Sequence, residues 1–397
     1  MERLYDKLKA YSESDFYAFH MPGHKRNKAL LGIELPYDLD ITEIDGFDDL
    51  HHADGILKEE QERAARVFGA EESHFLVNGS TAGILSAVMG CTHRGDKILV
   101  ARHCHKSIYH AIYMNGLVPR YVYPEFDISM HMNGEISKED VAKALAAEPD
   151  IKAVVIVSPN YDGVVSDVKG IAEVAHSYRI PLIVDEAHGP HFGFHPAFPG
   201  RANDLGADVV INSLHKTLPS LTQTAILHIN GKLANRRRIK KYLDMLQSSS
   251  PSYIFMASLD ACVDFLDGKC EEAFELYVER LQKFREELKP LQHLQILRTE
   301  HYDISKVVIS TANANITSPE LADRLRKEYH LEMEMTGGTY VLAMTTVADT
   351  QEGLDRLKAA LLEIDGQLEA KTAVSGSIEI SGELPRLEQY FTPQEAA

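Results

Sequence analysis

The chain has 397 residues, 44% of them hydrophobic and 25% charged, with a formal net charge of −18. That length exceeds what a single hydrophobic core organises and predicts a large domain, a smaller one and an N-terminal arm. The excess of carboxylates repels nucleic acid and anionic membranes at long range, so a small molecule is the expected ligand. No apolar run reaches the roughly twenty residues of a membrane-spanning helix. The opening Met1-Glu2-Arg3-Leu4-Tyr5-Asp6-Lys7 is too polar for a signal peptide, and a cytoplasmic setting is expected. Cys91, Cys104, Cys262 and Cys270 show no CxxC spacing and read as reduced, structural thiols.

In chain order, residues 1–60 read as an extended arm. They carry a helix-breaking Pro-Gly inside His20-Met21-Pro22-Gly23-His24-Lys25-Arg26 and a carboxylate-rich stretch over 38–54. Residues 61–290 read as the large domain with its connecting helices. Short apolar strands are predicted at Lys97–Ala101, Pro119–Tyr123, Ala153–Val157, Pro181–Val184, Asp208–Ile211 and Thr224–His228. Helical spacing lies between them over Ser137–Ala147 and Val168–Tyr178. This alternation predicts an α/β fold with a mostly parallel sheet covered on both faces. From 232 to 288 the chain turns helical and charged, and a long connecting helix is expected there. Its basic run, Arg236-Arg237-Arg238-Ile239-Lys240-Lys241, reads as a solvated helix face or subunit rim rather than a nucleic-acid patch. Residues 291–397 read as a small α+β domain, with strands at Val307–Ser310 and Thr339–Met344 and helices at Pro319–Tyr329 and Gln351–Ile364.

Two segments of the large domain carry the chemistry. Ser213-Leu214-His215-Lys216-Thr217 follows one strand-like run, and Asp185-Glu186-Ala187-His188 ends another. A lysine presented at the end of a buried strand loses its proton through desolvation and can condense with an aldehyde. Pyridoxal phosphate is the aldehyde that fits, because its ring nitrogen needs a carboxylate partner and Asp185 is placed to supply one. Gly79-Ser80-Thr81-Ala82-Gly83 opens a helix after an apolar run, and its free N–H groups and two hydroxyls suit a phosphate; a plain capping turn is the alternative. In Arg102-His103-Cys104-His105-Lys106-Ser107 an imidazole could stack on the cofactor ring, although His103 reads better as a satisfied loop histidine. His188 and His191 flank Gly-Pro and so cannot take a helical i, i+3 placement, and no nearby residue completes a metal ligand set. The same break separates His20 from His24. No metal is expected.

Together these motifs resemble the pyridoxal-phosphate-dependent ornithine/lysine/arginine decarboxylases of the aspartate-aminotransferase fold, fold type I. The resemblance runs from His20 to about Asn230. It includes His20-Met21-Pro22-Gly23-His24-Lys25, Asp40-Ile41-Thr42-Glu43 through Asp48-Asp49-Leu50-His51, Phe75 through Gly83, and Ser213 through Gln223. It implies a large domain of the seven-stranded type. It also implies that Lys216 forms the Schiff base, that Asp185 pairs with the pyridine nitrogen and that Ser80, Thr81 and Ser213 hold the phosphate. His105 would stack on the ring, His188 would lie near its phenolic oxygen, and His215 would flank the Schiff base. Glu334 resembles the family carboxylate that meets the substrate's distal cation, with Glu332 as a neighbouring candidate. The implied reaction is decarboxylation of lysine, ornithine or arginine to the amine, with Lys216 or His215 returning a proton to the α-carbon.

The resemblance further implies at least a homodimer, with the arm reaching the partner's cofactor. The resemblance also implies a region beyond Thr392-Pro393-Gln394-Glu395-Ala396-Ala397 with a Pro-Tyr-Pro-Pro-Gly-Ile-Pro-like loop, so the expectation is either a naturally short protein or a truncated chain. Two other readings follow. One is a different fold type I reaction such as transamination, which would grip the α-carboxylate with an arginine such as Arg298, Arg324 or Arg326. The other is a cofactor-binding but inactive chain that regulates a longer paralogue.

Overall fold

The computed structural model of the chain describes residues 3–127, 131–371, 391 and 393–396. In chain order the strands are β1 (Glu72–Leu76), β2 (Lys97–Ala101), β3 (Val118–Val122), β4 (Phe126–Asp127), β5 (Met132–Asn133), β6 (Val154–Val157), β7 (Leu182–Asp185), β8 (Val209–Asn212), β9 (Ala225–Ile229), β10 (Gln295–Leu297), β11 (Lys306–Ser310), β12 (Met335–Thr336) and β13 (Tyr340–Met344). The helices are α1 (Leu4–Ser12), α2 (Ile56–Val67), α3 (Gly79–Cys91), α4 (Lys106–Asn115), α5 (Lys138–Ala147), α6 (Val168–Ser177), α7 (Leu214–Thr217), α8 (Arg236–Leu246), α9 (Tyr253–Leu266), α10 (Glu271–Glu287), α11 (Ser318–Tyr329), α12 (Gln351–Asp365) and α13 (Pro393–Ala396).

Seven strands form the large sheet in the order β1-β9-β8-β7-β6-β2-β3. The run from β3 to β8 is parallel throughout, and β9 alone runs against its neighbours β8 and β1. Strands β6, β7 and β8 read as continuous Val/Ile runs because both of their faces are covered. Ile183, Val209 and Ile211 face the core under α3, α4 and α8, while Val154, Val184 and Val210 face the core under α5 and α6. The six strands expected in this sheet are present, each within one residue of its predicted ends.

A second sheet, β10-β11-β13-β12, is antiparallel. On β11, Val307 and Ile309 face α11 and α12, while Val308 faces the opposite side with Tyr302, Tyr340 and Leu342. By the period of two, Lys306 shares that second side, which is turned toward the large sheet. The two sheets are stitched there: Val164 pairs with Tyr302, Val165 N donates to His301 O at 3.1 Å, and Asp303 N donates to Gly163 O at 2.8 Å.

Two expectations are corrected. Residues 1–60 are not extended throughout: Leu4 and Leu8 on α1 are fully buried against α9, and Ile41, Phe47 and Leu50 join the same core. Each such burial is worth about 1.5–3 kcal/mol, which offsets part of the conformational freedom lost when the segment is ordered. The expected long connecting helix is instead α8, α9 and α10, because Pro251 precedes a new cap at Ser252 and Gly268 ends α9 with φ +76°. The basic run on α8 is partly spent inside the molecule. Arg236 pairs with Glu71 and Glu72, Arg238 donates to Met89 O and Thr92 O, and Lys240 donates to His51 O.

Under α1, Arg63 lies between the fully buried carboxyls of Glu60 and Asp260. Burial, followed by the charge of Asp260, pushes the Glu60 carboxyl above its usual 4.5. The native state therefore holds a proton that the unfolded chain releases, and stability falls as pH rises from about 4.5 through the folded value. Glu60→Gln should flatten the thermal midpoint against pH from 5 to 9 and raise it at the alkaline end, as measured by calorimetry.

Candidate active site

The site forms where parallel strands end, because loops at carboxyl ends gather into one crevice. From β7 come Asp185, His188 and His191; from β8 come Ser213, His215 and Lys216; from β6 comes Tyr161; and from β2 comes His105. Pairing of Asp185 with Ile211 across β7 and β8 sets the carboxylate beside the strand that leads to Lys216.

Lys216 Nζ lies 2.9 Å from His188 Nε2. Burial lowers the proton affinity of the Lys216 amine; Asp185 and Glu334 oppose the shift and Lys306 adds to it. Asp185 is 4% exposed and accepts a hydrogen bond from Ala187 N at 3.1 Å. Burial raises its carboxyl above the usual range, against the pull of Lys216. Behind it Glu186 is pushed up to about 8 by burial, with its carboxyl held by Asn212 Nδ2 at 3.0 Å and Ala202 N at 2.9 Å. His188 is driven well below its usual value by burial and then by the Lys306 and Lys216 cations.

Ser80 Oγ and Ser213 Oγ are 2.5 Å apart, so the hydroxyls from α3 and from the end of β8 meet at one point. Ser80 and the exposed Thr81 sit in the first turn of α3, whose N–H groups have no intrahelical partners. His105 caps α4: its Nδ1 accepts from Ser107 N at 3.3 Å and contacts Ser107 Oγ at 2.8 Å, which fixes the ring plane at an exposed position. His215 Nδ1 donates to Thr224 O at 2.8 Å. Glu334 accepts a short hydrogen bond from Tyr161 Oη, and the Tyr161 ring lies 4.7 Å from that of His188. Lys216, His188, Tyr161 and Glu334 thus form one contiguous line.

Of the residues singled out in the sequence for this site, Lys216, His188 and Glu334 share that line, Ser80 meets Ser213, and Asp185, His105 and His215 stand on loops or strand ends at the same edge of the sheet. His20 and His24 are engaged elsewhere, His20 with Tyr11 Oη at 2.9 Å and His24 with Asp40 at 3.2 Å and stacked on Tyr37. Sequence reasoning missed Tyr161, Lys306 and Asp303, and read His191 only against a metal site. Tyr161 was findable, since it follows a strand of the parallel run within Ser158-Pro159-Asn160-Tyr161-Asp162-Gly163. Among the described residues no three His, Cys, Asp or Glu side chains are grouped to hold a metal ion.

The residues suit pyridoxal phosphate. Paired hydroxyls at a helix N-terminus match a phosphate, a buried carboxyl matches a protonated ring nitrogen, and a desolvated amine matches the aldehyde. His188 Nδ1 is buried without a partner among the described residues, leaving a polar atom for a further group in the crevice.

Solved structures share the fold. A lysine decarboxylase from Francisella novicida superposes with TM-score 0.80 at 20% identity over 92% of this chain and 60% of that one. An alanine–glyoxylate aminotransferase from Nostoc superposes with TM-score 0.63 at 15% identity over 78% and 86%. The fold is that of the fold type I pyridoxal-phosphate enzymes, and the chain spans about 60% of the solved lysine decarboxylase's length. Sequence narrows the class further. Residues 3–371 match the family described as Orn/Lys/Arg decarboxylase, major domain. The arginine decarboxylase of Bacillus subtilis is 34% identical over 99% of this chain and 83% of that protein. A lysine decarboxylase of Pseudomonas aeruginosa is 29% identical over 64% of this chain and 38% of that protein. The chain belongs to the Orn/Lys/Arg decarboxylases, pyridoxal-phosphate-dependent enzymes that decarboxylate basic amino acids.

Ser80→Ala should raise the dissociation constant for pyridoxal phosphate about tenfold by deleting one phosphate donor, read by titrating the apoprotein. Lys216→Ala should abolish the visible absorbance of the lysine-bound cofactor.

Proposed function

We propose that the substrate is arginine, released as agmatine and carbon dioxide. The observation that carries this choice is the pattern of relatives. Those named arginine decarboxylase align over 91–99% of the chain at 32–34% identity, while those named lysine decarboxylase align over 60–72% at 26–29%. A carboxylate held 'ready' by a tyrosine suits a planar guanidinium, which takes a carboxylate through two parallel N–H bonds.

In this reading Ser80, Thr81 and Ser213 hold the phosphate, Asp185 holds the ring nitrogen, His105 covers the ring face and Lys216 is the attachment point. Bound pyridoxal phosphate supplies an electron sink for the carbon–carbon bond that breaks. Glu334, released from Tyr161, takes the distal guanidinium and so orients the α-carboxylate. The α-carbon loses carbon dioxide and gains one proton. Lys216 is the donor of that proton. His215 is a poor one, because its Nδ1–H is committed to Thr224 O and burial, the largest influence on it, lowers its proton affinity. His188 accepts from the Lys216 amine and keeps it pointed into the crevice.

Transamination is less well supported. Arg324 is tied to Glu328 and Gln367 and Arg326 to Asp323, which leaves the exposed Arg298 as the arginine that reading would need at the α-carboxylate.

The division at about 60 and 290 belongs to the same proposal, as does a homodimer. Phe16, Tyr17, Phe19, Met21, Leu30 and Leu31 are each more than 60% exposed, an apolar stripe on the N-terminal segment that a second copy would cover. A cytoplasmic setting is supported by four free cysteines. Among the described residues no helix is long and apolar enough to cross a membrane.

The deciding experiment is carbon dioxide release from arginine, lysine and ornithine by the holoenzyme beside Lys216→Ala. Release from arginine that vanishes in the variant is expected, and preference for lysine or ornithine would overturn the substrate assignment. Glu334→Gln should raise KM for arginine about tenfold to a hundredfold while kcat changes little. Native mass should report at least two chains.

A further inference from the structure

His191 stands on the same loop as His188, after β7, and has no part in the decarboxylation itself, yet it is 2% exposed and bonded at both ring nitrogens. Nδ1 lies 2.9 Å from Thr217 Oγ1, and Nε2 lies 3.1 Å from Asp303 Oδ1. A carboxylate only accepts, so Nε2 donates to Asp303, while Nδ1 meets a hydroxyl that can take either role. The ring is clamped edge-on between Phe192 and Phe198, with centroids 4.9 and 4.8 Å away at 68° and 86°.

One end of this chain of bonds is fixed to the second sheet. Asp303 is fully buried; its Oδ1 also accepts from Ser305 N at 2.9 Å, and its Oδ2 accepts from Ser305 Oγ at 2.7 Å. Ser305 O in turn accepts from Thr345 N at 3.0 Å and from Thr345 Oγ1 at 2.8 Å, just past β13. The carboxylate is therefore held in place before it reaches His191.

The other end is the turn that carries Lys216. Thr217 is its neighbour in α7, a single turn of four residues. One turn of helix does not hold itself in place, because fixing its backbone costs more than its few hydrogen bonds contribute. Side-chain bonds anchor it instead, Thr217 Oγ1 to His191 and His215 Nδ1 to Thr224 O at 2.8 Å. The loop after β7 thus meets the turn twice, at Lys216 through His188 and at Thr217 through His191. Between the two imidazoles Gly189 is packed so closely that a β-carbon there would lie 2.9 Å from both Glu186 and Phe192, which fixes their spacing. An acid, an imidazole and a hydroxyl in this order also describe an acyl-transfer nucleophile. Thr217 is 1% exposed, so no substrate reaches its oxygen, and the bonds hold rather than react.

We propose that His191 is a positioning residue for Lys216: bonded to Asp303 on one side and to Thr217 on the other, it ties the turn that carries the amine to the second sheet and keeps that amine against His188. Loss of either bond frees the turn, because the two act in series. The placement of the amine then suffers while the hydroxyls and the carboxylate of the crevice, which rest on other bonds, stay where they are.

The inference rests on Lys216 as the cofactor-bearing lysine, and its test needs no substrate. Thr217→Val removes the hydroxyl alone; His191→Asn keeps an amide where Nδ1 stands and loses Asp303; His191→Gln keeps one where Nε2 stands and loses Thr217. For each full-length apoprotein, the rate at which saturating pyridoxal phosphate develops the visible absorbance of the lysine-bound cofactor would be measured. Affinity for pyridoxamine phosphate, which has no aldehyde, would be measured beside it. Capture about tenfold slower is expected in each variant, with affinity for the amine analogue unchanged and Thr217→Val combined with His191→Gln no slower than either alone. A wild-type capture rate in Thr217→Val, an equal loss of affinity for the analogue, or effects that multiply in the double variant would overturn the proposal. If the His191 variants do not fold, Thr217→Val decides by the same two readouts. Lys216→Ala separates the two assignments: visible absorbance that persists there overturns the choice of lysine, whereas its loss there beside a wild-type rate in Thr217→Val overturns the role of His191 alone.

Discussion

The parallel register of β7 and β8 is the constraint on which the rest of the site depends. Asp185 stands opposite Ile211, so the carboxylate and the turn carrying Lys216 leave the sheet side by side at the same edge. Parallel strands must be joined by crossovers, and every crossover here returns the chain so that its next loop opens at that edge. The site is thus assembled from five strand ends, those of β1, β2, β6, β7 and β8, that lie far apart in sequence but at one edge of the sheet.

Burial then turns proximity into chemistry. Asp185, His188 and Lys216 all lose water, and each shifts in the direction that disfavours its charged form. The neighbours decide how far: Asp185 restrains the loss of charge on Lys216, while Lys306 promotes it. The same desolvation that would be a liability in an ordinary core lowers the proton affinity of the Lys216 amine and of the His188 imidazole in one crevice. The second sheet shares in this balance, because Lys306 opens β11, Asp303 lies just before it, and Tyr340 Oη donates to Asp162, beside Tyr161, at 2.5 Å.

Much of this was legible in the residue order. Strands such as Val154–Val157 declare themselves as unbroken β-branched runs between helical spacings, and Asp185 and Lys216 follow directly from them. Where the reading failed, long-range packing decided. Leu4 and Leu8 are spaced as one face of a helix, but only α9 gives that face something to cover. Lys306 precedes Val307-Val308-Ile309 and looks like an ordinary polar edge; its burial comes from Gly163 and Tyr302, more than a hundred residues and a few residues away respectively.

By itself, then, the sequence determined the α/β alternation, the strand ends that carry Asp185 and Lys216, and the helix-opening hydroxyls, because each is a local pattern of side chain and strand end. Tertiary structure alone decided that Ser80 meets Ser213, that Glu334 rather than Glu332 reaches Tyr161, and that Asp303, from the segment before β11, reaches His191. Those are distances between segments, and they are set by sheet order and packing, which no local pattern of residues encodes.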